Sequence, residues 1–183
     1  MKETIRNIAN KLSSLYDARE CNSIARYIVE EISGMSYTNI LVKDTKFSEV
    51  DREKIEEITK RLLEGEPLQY VLGYSYFCDL KICVNNNVLI PRPETELLVR
   101  EAANWARRSC RKSLRVLDLC TGSGCIAWSM ALELPGSEVA AVDISDGALA
   151  VAAGQKFECD NAPKFIKADV LAGPVEGLGT FDM

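Results

Sequence analysis

The segment Arg115 to Ala127 reads Arg-Val-Leu-Asp-Leu-Cys-Thr-Gly-Ser-Gly-Cys-Ile-Ala. An apolar run enters a turn containing glycine, and a helical pattern leaves it. In alternating strand–helix folds, ligands bind outside the carboxyl ends of the strands, at a turn of this kind. Glycine there permits positive φ and lets the backbone approach a ligand closely. Gly122, Gly124 and Ala127 fit the G-x-G-x-x-A spacing of dinucleotide loops, a weak signal when it stands alone. Asp143 lies 19 residues after Gly124, at the end of the next apolar run. A carboxylate in that place accepts hydrogen bonds from ribose hydroxyls. Turn and acid together fit a ribose-bearing cofactor, with NAD and S-adenosylmethionine both open. Asp118 separates the two. A carboxylate just before the turn repels a pyrophosphate but suits a sulfonium and an amino group. S-adenosylmethionine carries both of those groups and no phosphate. A capping role inside the turn is the competing reading of the same side chain. The expected cofactor contacts in this stretch are Asp118, Cys120, Gly122, Gly124 and Asp143, with Asp169 and Val170 on the adenine side.

Composition removes several other chemistries. The 183 residues contain no histidine, which excludes a Ser-His-Asp triad and most zinc sites. Seven cysteines, at positions 21, 78, 83, 110, 120, 125 and 159, include no C-x-x-C pair. They read as free thiols of a reducing compartment, and no metal site is expected. The net charge of −5 disfavours generic nucleic-acid binding, which needs a basic surface. The exception is Arg107 to Arg115, Arg-Arg-Ser-Cys-Arg-Lys-Ser-Leu-Arg, which reads first as a cationic helix end complementing the helix dipole. No apolar run approaches the about 18 residues of a membrane span, and the N-terminus lacks the apolar core of a secretory signal. A cytoplasmic location is expected.

The elements that must position these residues fall into three segments. Residues 1–68 read as a helical bundle. Ile5, Ile8, Ala9, Leu12 and Leu15 follow helical spacing, as do Ile24, Ala25, Ile28, Val29 and Ile32, which Gly34 terminates. A third helix carries Ile55, Ile58, Leu62 and Leu63 on one face, with Ser48 or Asp51 as its N-cap and Gly65 and Pro67 beyond its end. Residues 69–91 read as a β-hairpin linker turning at Asn85-Asn86-Asn87. Residues 92–183 open on a helix with Pro93 at its first position, acids in its first turn, and an apolar face of Leu97, Leu98, Ala102 and Trp105. Strands at 115–119, 138–142 and 164–167 then alternate with helices at 125–134 and 146–159, and a new apolar element opens at Phe181. The fold class is α/β: a helical bundle followed by a doubly wound parallel sheet, with only the opening residues of a fourth strand. An unfinished parallel sheet leaves an edge open to association with another chain.

Three stretches, read in order, resemble the HemK/PrmC family of protein-(glutamine-N5) methyltransferases. They are Pro67–Val99 (PLQYVLGYSYFCDLKICVNNNVLIPRPETELLV), Val116–Ala127 (VLDLCTGSGCIA) and Val139–Ser145 (VAAVDIS). The block Ile90–Glu96, IPRPETE, is the most specific part. The resemblance implies a Rossmann-like class I methyltransferase domain using S-adenosylmethionine. It also implies a protein substrate, the glutamine of the Gly-Gly-Gln loop of peptide chain release factors, recognised by the N-terminal bundle, with no membrane and no direct nucleic acid as partner. Thr121, Gly122, Ser123 and Gly124 carry over as cofactor contacts and Asp143 as the ribose acid. Arg92, Pro93, Glu94 and Thr95 carry over as the wall near the reacting end of the pocket.

The sequence departs from the family pattern twice. Cys120 stands where the family has glycine; if the turn needs positive φ there, a side chain costs ~1–2 kcal/mol. The family's Asn-Pro-Pro-Tyr motif, which holds the substrate amide, does not occur in these residues. No catalytic residue is therefore assigned, and the chain is expected to be a truncated, inactive form of the enzyme. The alternatives are a methyltransferase acting on adenine amines of nucleic acid, and a non-catalytic module that binds release factor.

Overall fold

The computed structural model describes residues 1–43, 46–109, 111, 113–175 and 177–183. Cys110 and Lys112, in the basic stretch, lie outside the described residues. The chain divides into two compact units, Met1–Leu72 and Gly73–Met183.

Among the described residues the first unit holds five helices: α1 (Lys2–Leu12), α2 (Ala18–Ser33), α3 (Tyr37–Val42), α4 (Glu49–Leu63) and α5 (Leu68–Leu72). Its core is the apolar stripe of each long helix, including Ile5, Ile8 and Leu12 of α1, Ile24, Ile28 and Val29 of α2, and Ile55 and Leu62 of α4. Asp17 caps α2 by accepting from the amides of Arg19 and Glu20, both at 2.8 Å, and Gly34 ends it in the left-handed region at φ 63°. Ser48, not Asp51, is the N-cap of α4: its Oγ accepts from the Asp51 amide at 3.1 Å. Two residues of the expected apolar faces are exposed. Leu15 falls beyond the end of α1, and Leu63 sits off the buried stripe of α4. Arg61 ties α4 to α5: its guanidinium grips both oxygens of Glu66 and reaches the carbonyls of Tyr70 and Val71. That pairing lowers the Glu66 carboxyl below its ordinary range. Helix α5 occupies residues 68–72, where the sequence suggested the linker would begin.

The second unit opens on an antiparallel hairpin, β1 (Tyr74–Phe77) and β2 (Leu80–Cys83), with Phe77 opposite Leu80. The turn is the pair Cys78-Asp79, at φ 48° and 62°, and not the Asn85–Asn87 run. Two left-handed residues match the right-handed twist of the flanking strands, which is why two-residue hairpins take this form. The asparagines form a separate turn past β2, with the Asn87 amide donating to Asn85 Oδ1 at 2.9 Å. Helix α6 (Pro93–Arg108) starts at its proline as expected, but its buried face is Val99, Ala103 and Ala106. Leu97, Leu98 and Trp105 are exposed, so the expected face is wrong. Small residues let α6 pack closely, and the bulky ones are left outside.

The remaining elements are β3 (Arg115–Leu119), α7 (Cys125–Glu133), β4 (Glu138–Asp143), α8 (Asp146–Ala153) and β5 (Lys164–Lys167). The strands form a parallel sheet in the order β3-β4-β5, with Asp118 opposite Ala141 and Asp143 opposite Lys167. Helix α8 stops at Ala153 rather than running to Cys159. Asn161 closes the end of α7: its Nδ2 lies 3.1 Å from the carbonyls of Ala131, Leu134 and Ser137. The last residues run along β3. The Asp182 amide donates to the Arg115 carbonyl at 2.8 Å and the Leu117 amide to the Met183 carbonyl at 2.9 Å. The Glu138 amide bonds the Leu114 carbonyl, so the groups of Arg115 and Leu117 face the opposite edge of β3 from β4. The chain thus leaves β3 on both sides, which makes its carboxyl end a topological switch point. Arg115 fixes this arrangement, pairing with Glu138 and donating to the carbonyls of Leu178 and Thr180. Within the basic stretch, Arg107 pairs with Glu133 and Arg111 with Asp182. Among the described residues no helix is long and apolar enough to cross a membrane.

The strained position in the hairpin gives a direct expectation. Asp79→Gly removes a side chain from φ 62° and leaves the backbone pairing of β1 with β2 in place. It should raise the unfolding free energy by about 0.5–1 kcal/mol in urea denaturation; a loss of that size would contradict the turn assignment.

Candidate cofactor site

Strand β3 buries alternate residues, Val116 and Asp118, and so carries a carboxylate into the interior at 7% exposure. Asp118 Oδ2 accepts from Thr121 Oγ1 at 2.6 Å. Gly124, the N-cap of α7, has no side chain. The Asp118 carboxylate approaches that end of the helix from the strand, where the Ala127 N–H and the helix dipole favour its charged form. Burial nonetheless raises its pKa above the ordinary carboxylate value, against the lowering effect of those hydrogen bonds, and the charge of Asp143 adds to the rise.

The turn between β3 and α7 uses left-handed backbone at three alternate positions: Cys120 at φ 60°, Gly122 at 55° and Gly124 at 77°. Cys120 thus occupies the conformation in which a side chain is penalised. Thr121 continues the sheet, its amide donating to the Val142 carbonyl at 3.0 Å. The Gly122 amide donates to Asp143 Oδ2 at 2.9 Å. The other oxygen of Asp143 accepts from the Ser145 amide at 3.0 Å, and Ser145 in turn caps α8. The two strand-end acids therefore clamp the turn from beneath, one through Thr121 and one through Gly122. The glycines differ in what they require. A Cβ on Gly122 would meet nothing within 4 Å, so that side of the turn is open. A Cβ on Gly124 would lie 3.0 Å from Ala152 Cβ and 3.1 Å from Trp128 Cδ1. Trp128 is held there by its indole N–H, which donates to the Ala152 carbonyl at 2.8 Å.

The structure brings together Asp118, Thr121, Gly122, Ser123, Gly124 and Asp143, with Cys120 exposed at the rim. Asp169 lies two residues past β5, exposed, with its carboxylate accepting from the Leu171 amide at 2.9 Å; Val170 beside it is half-buried. Arg92 to Thr95 form the first turn of α6, and among the described residues they share no hydrogen bond with the glycine turn. Three apolar side chains that the sequence did not single out lie exposed at strand ends: Leu119 closing β3, Ile144 directly after Asp143, and Leu171 after β5. For Leu119 and Ile144 the available signal was an apolar residue immediately after a strand-end acid; Leu171, two residues past Asp169, carried no such signal. Gln155, equally inconspicuous in sequence, donates to the Ser123 carbonyl at 3.2 Å. Cys125 lies beneath the turn, and burial pushes its thiol up to about 11, which leaves it inert as a nucleophile. Among the described residues no group of three or more Cys, Asp or Glu could hold a metal ion.

A glycine turn at the switch point of a parallel sheet, backed by strand-end acids, stands where α/β folds of this kind bind ligands. Comparison with known proteins narrows the class. Residues 3–73, the helical first unit, match the PrmC N-terminal domain family. The release factor glutamine methyltransferase of Flavobacterium psychrophilum is 40% identical over 162 residues, covering 87% of this chain and 57% of that protein. The one from Bacteroides thetaiotaomicron is 36% identical over 170 residues, covering 90% and 58%, and that of Bordetella pertussis 45% identical over 131 residues, covering 71% and 48%. A solved structure of the plantazolicin methyltransferase BpumL with a desmethylPZN analog and SAH aligns at 11% identity and a TM-score of 0.39, over 96% of this chain and 46% of that one, too remote a likeness to bear on function. The first unit belongs to the PrmC N-terminal domain family, and the chain, similar over most of its length to release factor glutamine methyltransferases, spans about half the length of the curated relatives it matches.

The turn predicts opposite outcomes for two neighbouring substitutions. Cys120→Gly should stabilise by about 0.5–1 kcal/mol, the relief of left-handed strain less the added freedom of the unfolded chain. Gly124→Ala should destabilise by about 2–3 kcal/mol through strain and overlap with Ala152. Urea denaturation of both variants checks the signs; a neutral Gly124→Ala would contradict the packing described.

Proposed function

We propose that the second unit binds S-adenosylmethionine and that the chain serves methylation of the side-chain amide of the Gly-Gly-Gln glutamine in peptide chain release factors. The observation that carries this reading is sequence similarity to release factor glutamine methyltransferases that extends over both units, 162 residues in the Flavobacterium psychrophilum relative.

The residues at the switch point suit that cofactor. Gly122 leaves space for backbone approach, and Asp143 is half-exposed beside it, where it serves as acceptor for ribose hydroxyls. Leu119, Ile144 and Leu171 offer apolar surface at the same strand ends for an adenine ring. Asp118 acts at one remove: it shapes the turn and adds negative potential beneath a cationic ligand, a poor setting for a pyrophosphate. Asp169 and Val170 belong to the adenine side in this reading, and Arg92 to Thr95 to the wall near the reacting end. S-adenosylmethionine, when bound, supplies a methyl group on a sulfonium. The chain's own contribution is orientation and exclusion of water, since an amide nitrogen is a weak nucleophile and no histidine is available as a base. The Asn-Pro-Pro-Tyr motif that the family uses on the amide is not among these residues, so no ligand of the substrate amide is assigned.

A protein substrate fits better than nucleic acid. The net charge is −5, and Arg107, Arg111 and Arg115 of the basic stretch are engaged by Glu133, Asp182 and Glu138. The helical first unit supplies the docking surface for the release factor in this reading.

Calorimetric titration tests the cofactor assignment. S-adenosylhomocysteine should bind and NAD should not. Asp143→Ala should weaken binding about tenfold or more, the worth of charge-assisted hydrogen bonds to hydroxyls. Binding of NAD in preference to S-adenosylhomocysteine would overturn the proposal.

A further inference from the structure

The glycine turn is held by three side chains, and the third comes from neither β3 nor β4. Gln155 follows Gly154 at the end of α8 and is 6% exposed. Its Oε1 accepts from the Cys83 amide at 2.9 Å, and its Nε2 donates to the Cys83 carbonyl at 2.9 Å. The carboxamide thus offers β2 what a neighbouring strand would, one acceptor and one donor to a single residue. Nε2 also donates to the Ser123 carbonyl at 3.2 Å, in the middle of the turn. A carboxamide can make about four hydrogen bonds, and this one makes three with backbone groups of two distant segments.

The Ser123 carbonyl has particular importance. It belongs to the peptide between residues 123 and 124, and its orientation fixes how Gly124 enters the left-handed region before α7. Asp118 and Asp143 hold the turn at Thr121 and Gly122, upstream of that peptide. Without Gln155, the 123–124 peptide loses this side-chain anchor. A buried amide is costly unless satisfied, so an apolar side chain would be the simpler filler of the same space. The polar residue at this place accordingly has a task that packing does not explain.

We infer that Gln155 is a positioning residue for the cofactor turn: it fixes the Ser123 carbonyl and couples the turn to the β1–β2 hairpin. The inference rests on the reading of the turn as an S-adenosylmethionine site, and it deepens that reading by naming a residue that sets the turn's shape without touching the ligand.

The test compares wild type, Gln155→Leu and Gln155→Glu by two measurements: amide hydrogen exchange over residues 80–84 and 120–125, and titration with S-adenosylhomocysteine. Gln155→Leu should speed exchange in both segments and weaken binding about tenfold, the worth of the lost hydrogen bonds. Gln155→Glu keeps the acceptor for the Cys83 amide but, when ionised, has no donor for Ser123. Its binding, taken relative to wild type at each pH, should be weak at mildly alkaline pH and recover toward wild type as the carboxyl protonates. If Gln155→Leu fails to fold, the pH response of Gln155→Glu decides. Wild-type affinity in the leucine variant, or a glutamate variant with no pH response, would overturn the inference. Wild type that binds no S-adenosylhomocysteine would overturn the cofactor reading instead; the exchange data would then decide alone, and unchanged protection at 120–125 in the variants would remove the positioning role.

Discussion

Left-handed backbone at positions 120, 122 and 124 lets the chain pass from β3 into α7 within five residues, and that turn costs conformational energy to hold. Much of the second unit's polar chemistry serves to hold it. Asp118 gives up solvation to grip Thr121. Asp143 takes the Gly122 amide while starting α8 through Ser145. Gln155 reaches in from beyond α8. Packing then closes around Gly124, where Ala152 and Trp128 leave no room for a side chain. These constraints converge on one short segment at the switch point of the sheet, where open space above Gly122 remains for a ligand.

The same interactions explain how Cys120 is tolerated. Its side chain is exposed, so its burden is conformational and not steric. A strained residue persists when its surroundings over-determine the backbone. Here Asp118 lies two residues before it, and the Thr121 amide, locked to Val142, one residue after.

Much of this was legible in the sequence, for physical reasons. Strands β3, β4 and β5 announce themselves as short apolar or β-branched runs with acids at or just past their ends, and the alternation with helices dictates a parallel sheet. The bundle helices follow from apolar periodicity and from Gly34 and Ser48 at their ends. The failures share a cause, since each depended on a tertiary choice. The Asn85–Asn87 run is a louder turn signal than Cys78-Asp79, yet the two-residue turn fits the strand twist. In α6, the large apolar residues suggested one face and the small ones are buried, because close helix packing outweighed side-chain size. Asp118 presented two readings in sequence, and its hydrogen bond from Thr121 sets it under the turn in a place compatible with both. Gln155 was invisible: a polar residue after a glycine reads as a surface loop until β2 and the turn are seen on either side of it.

The central claim is that the carboxyl ends of β3 and β4 form the cofactor site. Backbone amide NMR of the isotopically labelled chain, titrated with S-adenosylhomocysteine, tests it most directly. The largest shifts should fall on residues 119–124 and 143–145, with the helices of the first unit unmoved. Shifts centred on the first unit, or none at the glycine turn on saturation, would contradict it.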